Sequence, residues 1–290
     1  MSFRNVLSQL QTRLGARVAI AFLLFVSLGA LMAPLIAPQN PYDLAALDLM
    51  EARLPPGSLS GDGQMYYWLG TDEQGRDMLS AILYGLRISL AVGIISTVLA
   101  LSIGLLLGLA AAYWRGPFDA LVMRLVDLQL SIPALLIALV LLAISGPGLG
   151  KIVVALVAVQ WAHYANFVRS IALVEASKDY IAAARCLGIP SVRIMLKHLL
   201  PNCLSPLLVF GAVQLAAAIS LEATLSFLGL GLPVTEPSLG LLIANGFRYF
   251  LSGQYWMCLF PGFALLIALA SINVLVDHLR DVLNPRGQNR

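Results

Sequence analysis

The 290-residue chain is 59% hydrophobic and only 11% charged, with a mean hydropathy of +0.86. Soluble domains carry about 25% charged residues, so a water-soluble globule is excluded, and a disordered chain would expose far less apolar surface. The net charge of +3 decides little as a total; where the charges fall decides more.

Apolar runs of the length that crosses a bilayer core, about 20 residues, fall at 18–37, 87–113, 121–144, 152–173, 204–228 and 256–276. None alternates as a transmembrane strand would. The reading is an all-α polytopic membrane protein of six transmembrane helices. The first run follows Arg4, Arg13 and Arg17, as a secretory signal does. It exceeds the roughly 7 to 15 residues of a signal core, and Pro34 and Pro38 stand where small residues would mark cleavage. A retained first helix is expected.

Six crossings put both termini on one side, and the positive-inside rule chooses it. The N-terminal segment, the 114–124 loop, the 169–202 region and the C-terminal tail hold most of the 18 basic residues, from Arg4 and Arg13 to Arg286 and Arg290. Both termini are therefore expected in the cytoplasm, the protein being a multi-pass component of the inner (plasma) membrane. Residues 1–85 form a unit of N-terminal tail, first helix and external loop; residues 86–290 form a core of five helices. Weak internal symmetry would mark a secondary transporter, and none is found.

The fourth run carries Gln160, His163 and Asn166 at i, i+3 and i+6, a polar stripe read as helix-to-helix hydrogen bonding or as substrate contact. Glu222 lies inside the fifth run, where an ionisable side chain is costly, and reads either as a pathway or gate residue or as a structural hydrogen-bond acceptor. Arg124 and Asp127, three apart, read as an intrahelical pair. Gly104 and Gly108 permit close helix approach. Thr71 to Asp77 reads as a turn tied by Asp–Arg pairing that caps the next helix. Cys186, Cys203 and Cys258 lack metal or disulfide spacing and read as small apolar fillers. His198 and His278 have no partner set, so no metal site is expected.

The internal stretch 175–202 is the informative one. Ala-rich residues through Leu187 favour a short helix, Gly188 frees the backbone at its end, and Pro190 suits the first turn of a second helix. There Val192, Met195, Leu196 and Leu199 share one face, Arg193 and Lys197 another, and Pro201 closes the helix before the fifth span. The product is a bent pair of helices with one side free for a partner.

Ala182-Ala183-Ala184, Gly188 and Leu200-Pro201 resemble the cytoplasmic "EAA" loop of binding-protein-dependent ABC transporter permeases. The order LGTDEQGRD at 69–77, MRLVD at 123–127, SFLGLG at 226–231, FPG at 260–262 and LRDVLNP at 279–285 resembles the dipeptide, oligopeptide and nickel branch, specifically its "C"-type second permease. The resemblance implies a type I ABC importer permease fold and a subunit forming half of a pathway for di- or oligopeptides, the alternative being nickel or another small solute. It implies a homologous permease as partner, two ATPase subunits or domains, an external solute-binding protein, the lipid bilayer and no nucleic acid. The coupling loop would involve Asp179, Tyr180, Ala183, Ala184, Arg185, Gly188, Arg193 and Pro201, with Gln160, His163 and Glu222 toward the pathway. The motif Glu is replaced by Ala182, and Asp179, one turn earlier, is the candidate substitute.

No phosphate-binding G-x-x-x-x-G-K-[ST] run is present, so ATP and magnesium belong to the ATPase partners and this chain is not an enzyme. An ion-driven carrier would need several paired intramembrane acids; a membrane enzyme would need clustered His and carboxylates.

Overall fold

The computed structural model describes residues 14–43, 47–233 and 235–283. Arg4, Arg13, Arg286 and Arg290, on which the sidedness expectation partly leans, lie outside the described residues, as does Asn284-Pro285 of the last motif.

The first helix, α1 (Leu14–Leu31), is continued after Met32 by a single turn, α2 (Ala33–Ile36), with Pro34 in its first turn. A folded cap then occupies 38–43 and 47–77. In it a short turn of helix at Leu49–Glu51 faces a hairpin of β1 (Ser58–Leu59) and β2 (Tyr66–Tyr67), paired antiparallel as Ser58 with Tyr67 and Leu59 with Tyr66. Glu51 organises the cap: its carboxylate accepts from the Gly61 N–H at 2.6 Å and from the Tyr67 hydroxyl, and its carbonyl accepts from the Thr71 hydroxyl at 2.6 Å. Gly75, at φ +77°, passes directly against the Asp48 carbonyl, where any side chain would collide.

The 71–77 segment caps the following helix as expected. Asp77 accepts from the Ser80 N–H at 2.8 Å and from the Ser80 hydroxyl at 2.6 Å, satisfying a free donor of the first turn. Asp72 ties the turn through backbone N–H groups, those of Gln74 at 2.8 Å and Arg76 at 2.9 Å. Burial pushes the carboxyls of both Asp72 and Asp77 upward.

That cap starts α3 at Met78, and it runs to Trp114, nine residues before the expected beginning of the second span. At 1.5 Å per residue α3 is about 55 Å long, well beyond a hydrocarbon core of about 30 Å. It is the axis of the bundle.

The third span is not one helix. It consists of α4 (Gly116–Leu130) and α5 (Ala134–Ser145), bent by 87°, which corrects the continuous 121–144 reading. Pro133 has no N–H to donate and pushes its predecessor out of helical geometry. Gln129 then fixes the corner, its side-chain amide donating to the Ala158 carbonyl at 2.6 Å and the Val159 carbonyl at 2.9 Å.

α6 (Leu149–Ala176) is the fourth span. α7 (Asp179–Cys186) and α8 (Ser191–Ile194) form the elbow, and a π turn at Met195–Leu199 leads without interruption into α9 (Leu200–Phe227). Pro201 therefore does not close a helix. It sits in a first turn where its missing N–H costs little, and the wide π turn before it gives its ring room. A helix not anticipated from the sequence, α10 (Leu239–Arg248), is capped by Ser238, and α11 (Trp256–Leu283) follows.

Four of these helices are long and apolar enough to cross a membrane, five if the bent pair is one span, and a shorter apolar helix lies at Ile20–Leu31. α3 and α6 approach closely at two glycines. A Cβ on Gly104 would lie 2.7 Å from the Trp161 carbonyl and 2.8 Å from the Ala165 nitrogen, and one on Gly108 would run into the Ala165 carbonyl. The expected close approach at this glycine pair is present.

Arg124 and Asp127 form no ion pair. Both are exposed, and a cation placed N-terminal to its anion is the weaker orientation on a helix. Asp127 instead lies in the field of Arg169. Of the three thiols, Cys203 is buried and Cys258 half-buried, but Cys186 is exposed, so the apolar-filler reading fails there because its helix turns that face outward.

Candidate functional site

The elbow hangs from the bundle at the end opposite the 38–77 cap. α6 ends at Ala176, and Lys178 starts α7. α7 stops in a Schellman arrangement: the Ile189 N–H donates to the Ala184 carbonyl at 3.2 Å and the Gly188 N–H to the Arg185 carbonyl at 3.0 Å. Gly188 adopts φ +70°, the left-handed conformation that favours glycine. Pro190 then opens α8, as its fixed φ suits.

One face of the elbow is core. Ile181, Ala184, Ile194, Met195, Leu199 and Cys203 are buried in a cluster with Leu109 and Ala112 of α3 and Val168, Ala172 and Ala176 of α6. The amphipathic reading of α8 is corrected at two of its four positions: Met195 and Leu199 face inward as expected and Ile194 joins them, while Val192 and Leu196 are 57% and 50% exposed, the π turn at Met195–Leu199 having changed the periodicity. Arg185 stacks its guanidinium 4.9 Å above the Tyr113 ring at the end of α3, so the elbow is held to the second span as well.

The expected coupling residues divide by face. Asp179, Ala183, Arg185, Gly188, Arg193 and Pro201 are exposed, Tyr180 is 39% exposed, and Ala184 is turned into the core. With Leu187, 79% exposed, they surround an uncovered face carrying apolar side chains between cations. Asp179 makes no side-chain hydrogen bond or ion pair among the described residues. A buried acid that sequence reasoning passed over, Glu175, accepts from the Tyr180 hydroxyl at 2.6 Å and pairs with Lys178 at 2.7 Å. The Asn202 amide donates to the Tyr180 oxygen at 3.0 Å and to the His198 carbonyl at 2.8 Å. No motif flags Glu175; only its place in the last turn of an apolar helix, one turn before Lys178, distinguishes it.

The pathway candidates do not converge. Glu222 has no exposed surface and accepts from the Ser89 hydroxyl at 2.7 Å and the Ser226 hydroxyl at 2.8 Å, joining α3 to α9. Gln160 is buried and donates to the Gln214 carbonyl at 3.2 Å, a helix-to-helix bond of the kind anticipated. His163 is half-buried and Asn166 exposed. Among the described residues no group of His, Cys, Asp and Glu is arranged to hold a metal ion.

The family of binding-protein-dependent transport system inner membrane components matches residues 104–288. The chain belongs to that family. It is a permease subunit of an ABC importer, an integral inner-membrane protein that works with an ATPase and a binding protein, and hydrolysis takes place in a separate subunit. Among its relatives is the di/tripeptide transport system permease protein DppC of Pseudomonas aeruginosa, 38% identical, with 95% of this chain and 89% of the relative covered. The dipeptide transport system permease protein DppC of Escherichia coli K12 is 40% identical, covering 94% and 89% respectively. A putative peptide transport system permease protein of Brucella suis is also 40% identical, covering 96% and 90%. A chain from an inward-facing structure of the MetNI methionine ABC transporter superposes with a TM-score of 0.58 at 22% identity, covering 71% of this permease and 97% of that chain. The fold is that of a type I importer permease.

Proposed function

We propose that this permease forms half of the translocation pathway for di- or oligopeptides, and that the 175–202 elbow is where an ATPase subunit delivers its motion. The observation that carries the coupling assignment is the two-faced elbow. Its inner face shares one core with α3, α6 and α9, and its outer face is apolar, cationic and uncovered. ATP and magnesium sit on the ATPase partners. ATP binding there favours one arrangement of the assembly over another, and the permease supplies the element with two arrangements. The peptide assignment is supported by the relatives named above.

The broken third span supports pairing with a homologous permease. Non-helical backbone at membrane depth is tolerated only against protein or a water-filled path, not against lipid. The Ser131–Pro133 corner is exposed in the single chain, as are Leu128, Ile132 and Leu136 beside it. A second permease seated on that corner would shield it and complete the pathway. The elbow and both termini lie on the cytoplasmic side in this reading, with the 38–77 cap facing the binding protein.

The test is reconstitution in proteoliposomes of the permease pair with its ATPases and binding protein. ATP-dependent uptake of a labelled dipeptide is expected, with none when the elbow carries Gly188→Val. Uptake without any ATPase would refute the importer mechanism, and binding-protein capture of a nickel chelate in preference to peptides would refute the substrate.

A further inference from the structure

We propose that Glu175 is the positioning residue that fastens α7 to the fourth and fifth spans together, so that displacement of the elbow moves both. It rests on the reading of the elbow as the ATPase contact, but concerns how motion leaves the elbow, not how it arrives.

Three separate elements are linked through one hydroxyl, that of Tyr180, which donates to Glu175 and accepts from Asn202. Glu175 belongs to the last turn of α6. Its Oε1 accepts from the hydroxyl of Tyr180 in α7 at 2.6 Å, and its Oε2 pairs with Lys178 at 2.7 Å. The same Tyr180 oxygen accepts from Asn202 in the first turn of α9, whose amide also reaches the His198 carbonyl in the preceding π turn. The chain of bonds therefore runs from the end of one span, through the elbow, to the beginning of the next.

The remaining attachments of the elbow are mostly apolar, and packing alone is non-directional. Hydrogen bonds to an ionised acceptor are stronger and fix orientation. Glu175 itself is buried, and its bond to the Tyr180 hydroxyl is partly buried, whereas Lys178 is 55% exposed and Asn202 also lies at the surface, so of the two bonds the carboxylate makes, the one to Tyr180 is the better shielded. The departure at Ala182 fits this arrangement. Ala182 is exposed, and the acid that binds the elbow to the bundle stands seven residues earlier, on the span itself.

The decisive measurement is dipeptide uptake per ATP hydrolysed by the assembled transporter in proteoliposomes, with ATPase co-purification recorded for every variant. Glu175→Ala and Tyr180→Phe are each expected to lower uptake per ATP about tenfold, within the usual range of coupling between sites. The double variant should lose no more than either single one, as residues acting through one bond do. Glu175→Ala with the parent's uptake per ATP, or losses that add in the double variant, would overturn the proposal. Where Glu175→Ala fails to fold, Tyr180→Phe alone decides, since it keeps the ring and removes only the hydroxyl; parent-like coupling in it overturns the proposal equally. Gly188→Val separates the underlying reading: if it too retains full coupling, the elbow assignment fails, whatever Glu175 does.

Discussion

Arg169 of α6 grips Asp119 in the first turn of α4 with two hydrogen bonds, Nε to Oδ1 at 2.5 Å and a terminal nitrogen to Oδ2 at 2.7 Å. The pair joins the start of the broken third span to the fourth span near the elbow end of the bundle. Both side chains are largely shielded, 27% and 16% exposed, and the parallel two-bond geometry is the strong form of an Arg–carboxylate contact. Asp119→Asn or Arg169→Gln should each cost about 1 kcal/mol. The check is a double-mutant cycle on unfolding in mixed micelles, where the double variant should lose less than the sum.

The glycines of α3 make a sharper case. Gly104→Ala places a methyl group against the backbone of Trp161 and Ala165, which cannot rotate away, and overpacking of this kind costs about 1 to 3 kcal/mol. Gly262→Ala in α11 meets nothing within 4 Å and serves as the control, with no loss expected. Equal stability of the two variants in the same unfolding assay would mean that α3 and α6 do not pack as described.

Glu222 separates two readings by one substitution. Glu222→Leu leaves the Ser89 and Ser226 hydroxyls without their acceptor and should cost about 1 to 3 kcal/mol. Glu222→Gln keeps an acceptor oxygen and should preserve both fold and uptake. Normal unfolding combined with lost uptake in Glu222→Gln would instead make the charge itself a requirement of the pathway.

The span composition and the elbow were legible in the sequence because they rest on local signals. Apolar length marks a crossing, and Gly188 before Pro190 marks a turn between helices. Helix ends were less legible where side chains decide them. The Asp77–Ser80 cap starts α3 nine residues before Arg87, over the largely apolar MLSAILYGL at 78–86, so the cap and not the cation sets the helix end, and a run of apolar residues on both sides of Pro133 hides an 87° bend. Pro201 misled because its effect depends on the π turn before it, which no local pattern announces. Glu175 stayed invisible for a further reason. Its partners are Tyr180 and, through it, Asn202, 22 positions beyond Tyr180, and only the fold brings them together.

Alkaline titration should reveal the Tyr180 contact. Desolvation, and next the hydrogen bond to Glu175, push the Tyr180 hydroxyl from 10.0 up to about 12. A folded value above the unfolded one means the stabilisation is complete below about pH 10. It is lost as pH rises toward the folded value. Protection of the 177–190 segment from trypsin should accordingly be flat from neutral pH to about 10 and fall beyond it, with the fall absent in Tyr180→Phe. A decline centred near neutrality would point to a different group.

Gly188 distinguishes backbone strain from contact with a partner. Its φ of +70° disfavours a branched side chain, yet a Cβ there meets nothing within 4 Å of this chain. Asn tolerates the left-handed region better than most residues, so Gly188→Asn should fold with little loss, whereas Gly188→Val should lose about 1 to 2 kcal/mol from strain at that one residue. The permease alone offers no steric reason for Gly188→Asn to fail. If the bend enters a groove on the ATPase, Gly188→Asn should keep its unfolding midpoint and lose ATPase co-purification. Full co-purification and uptake in a folded Gly188→Asn variant would show that this part of the elbow stands clear of the partner.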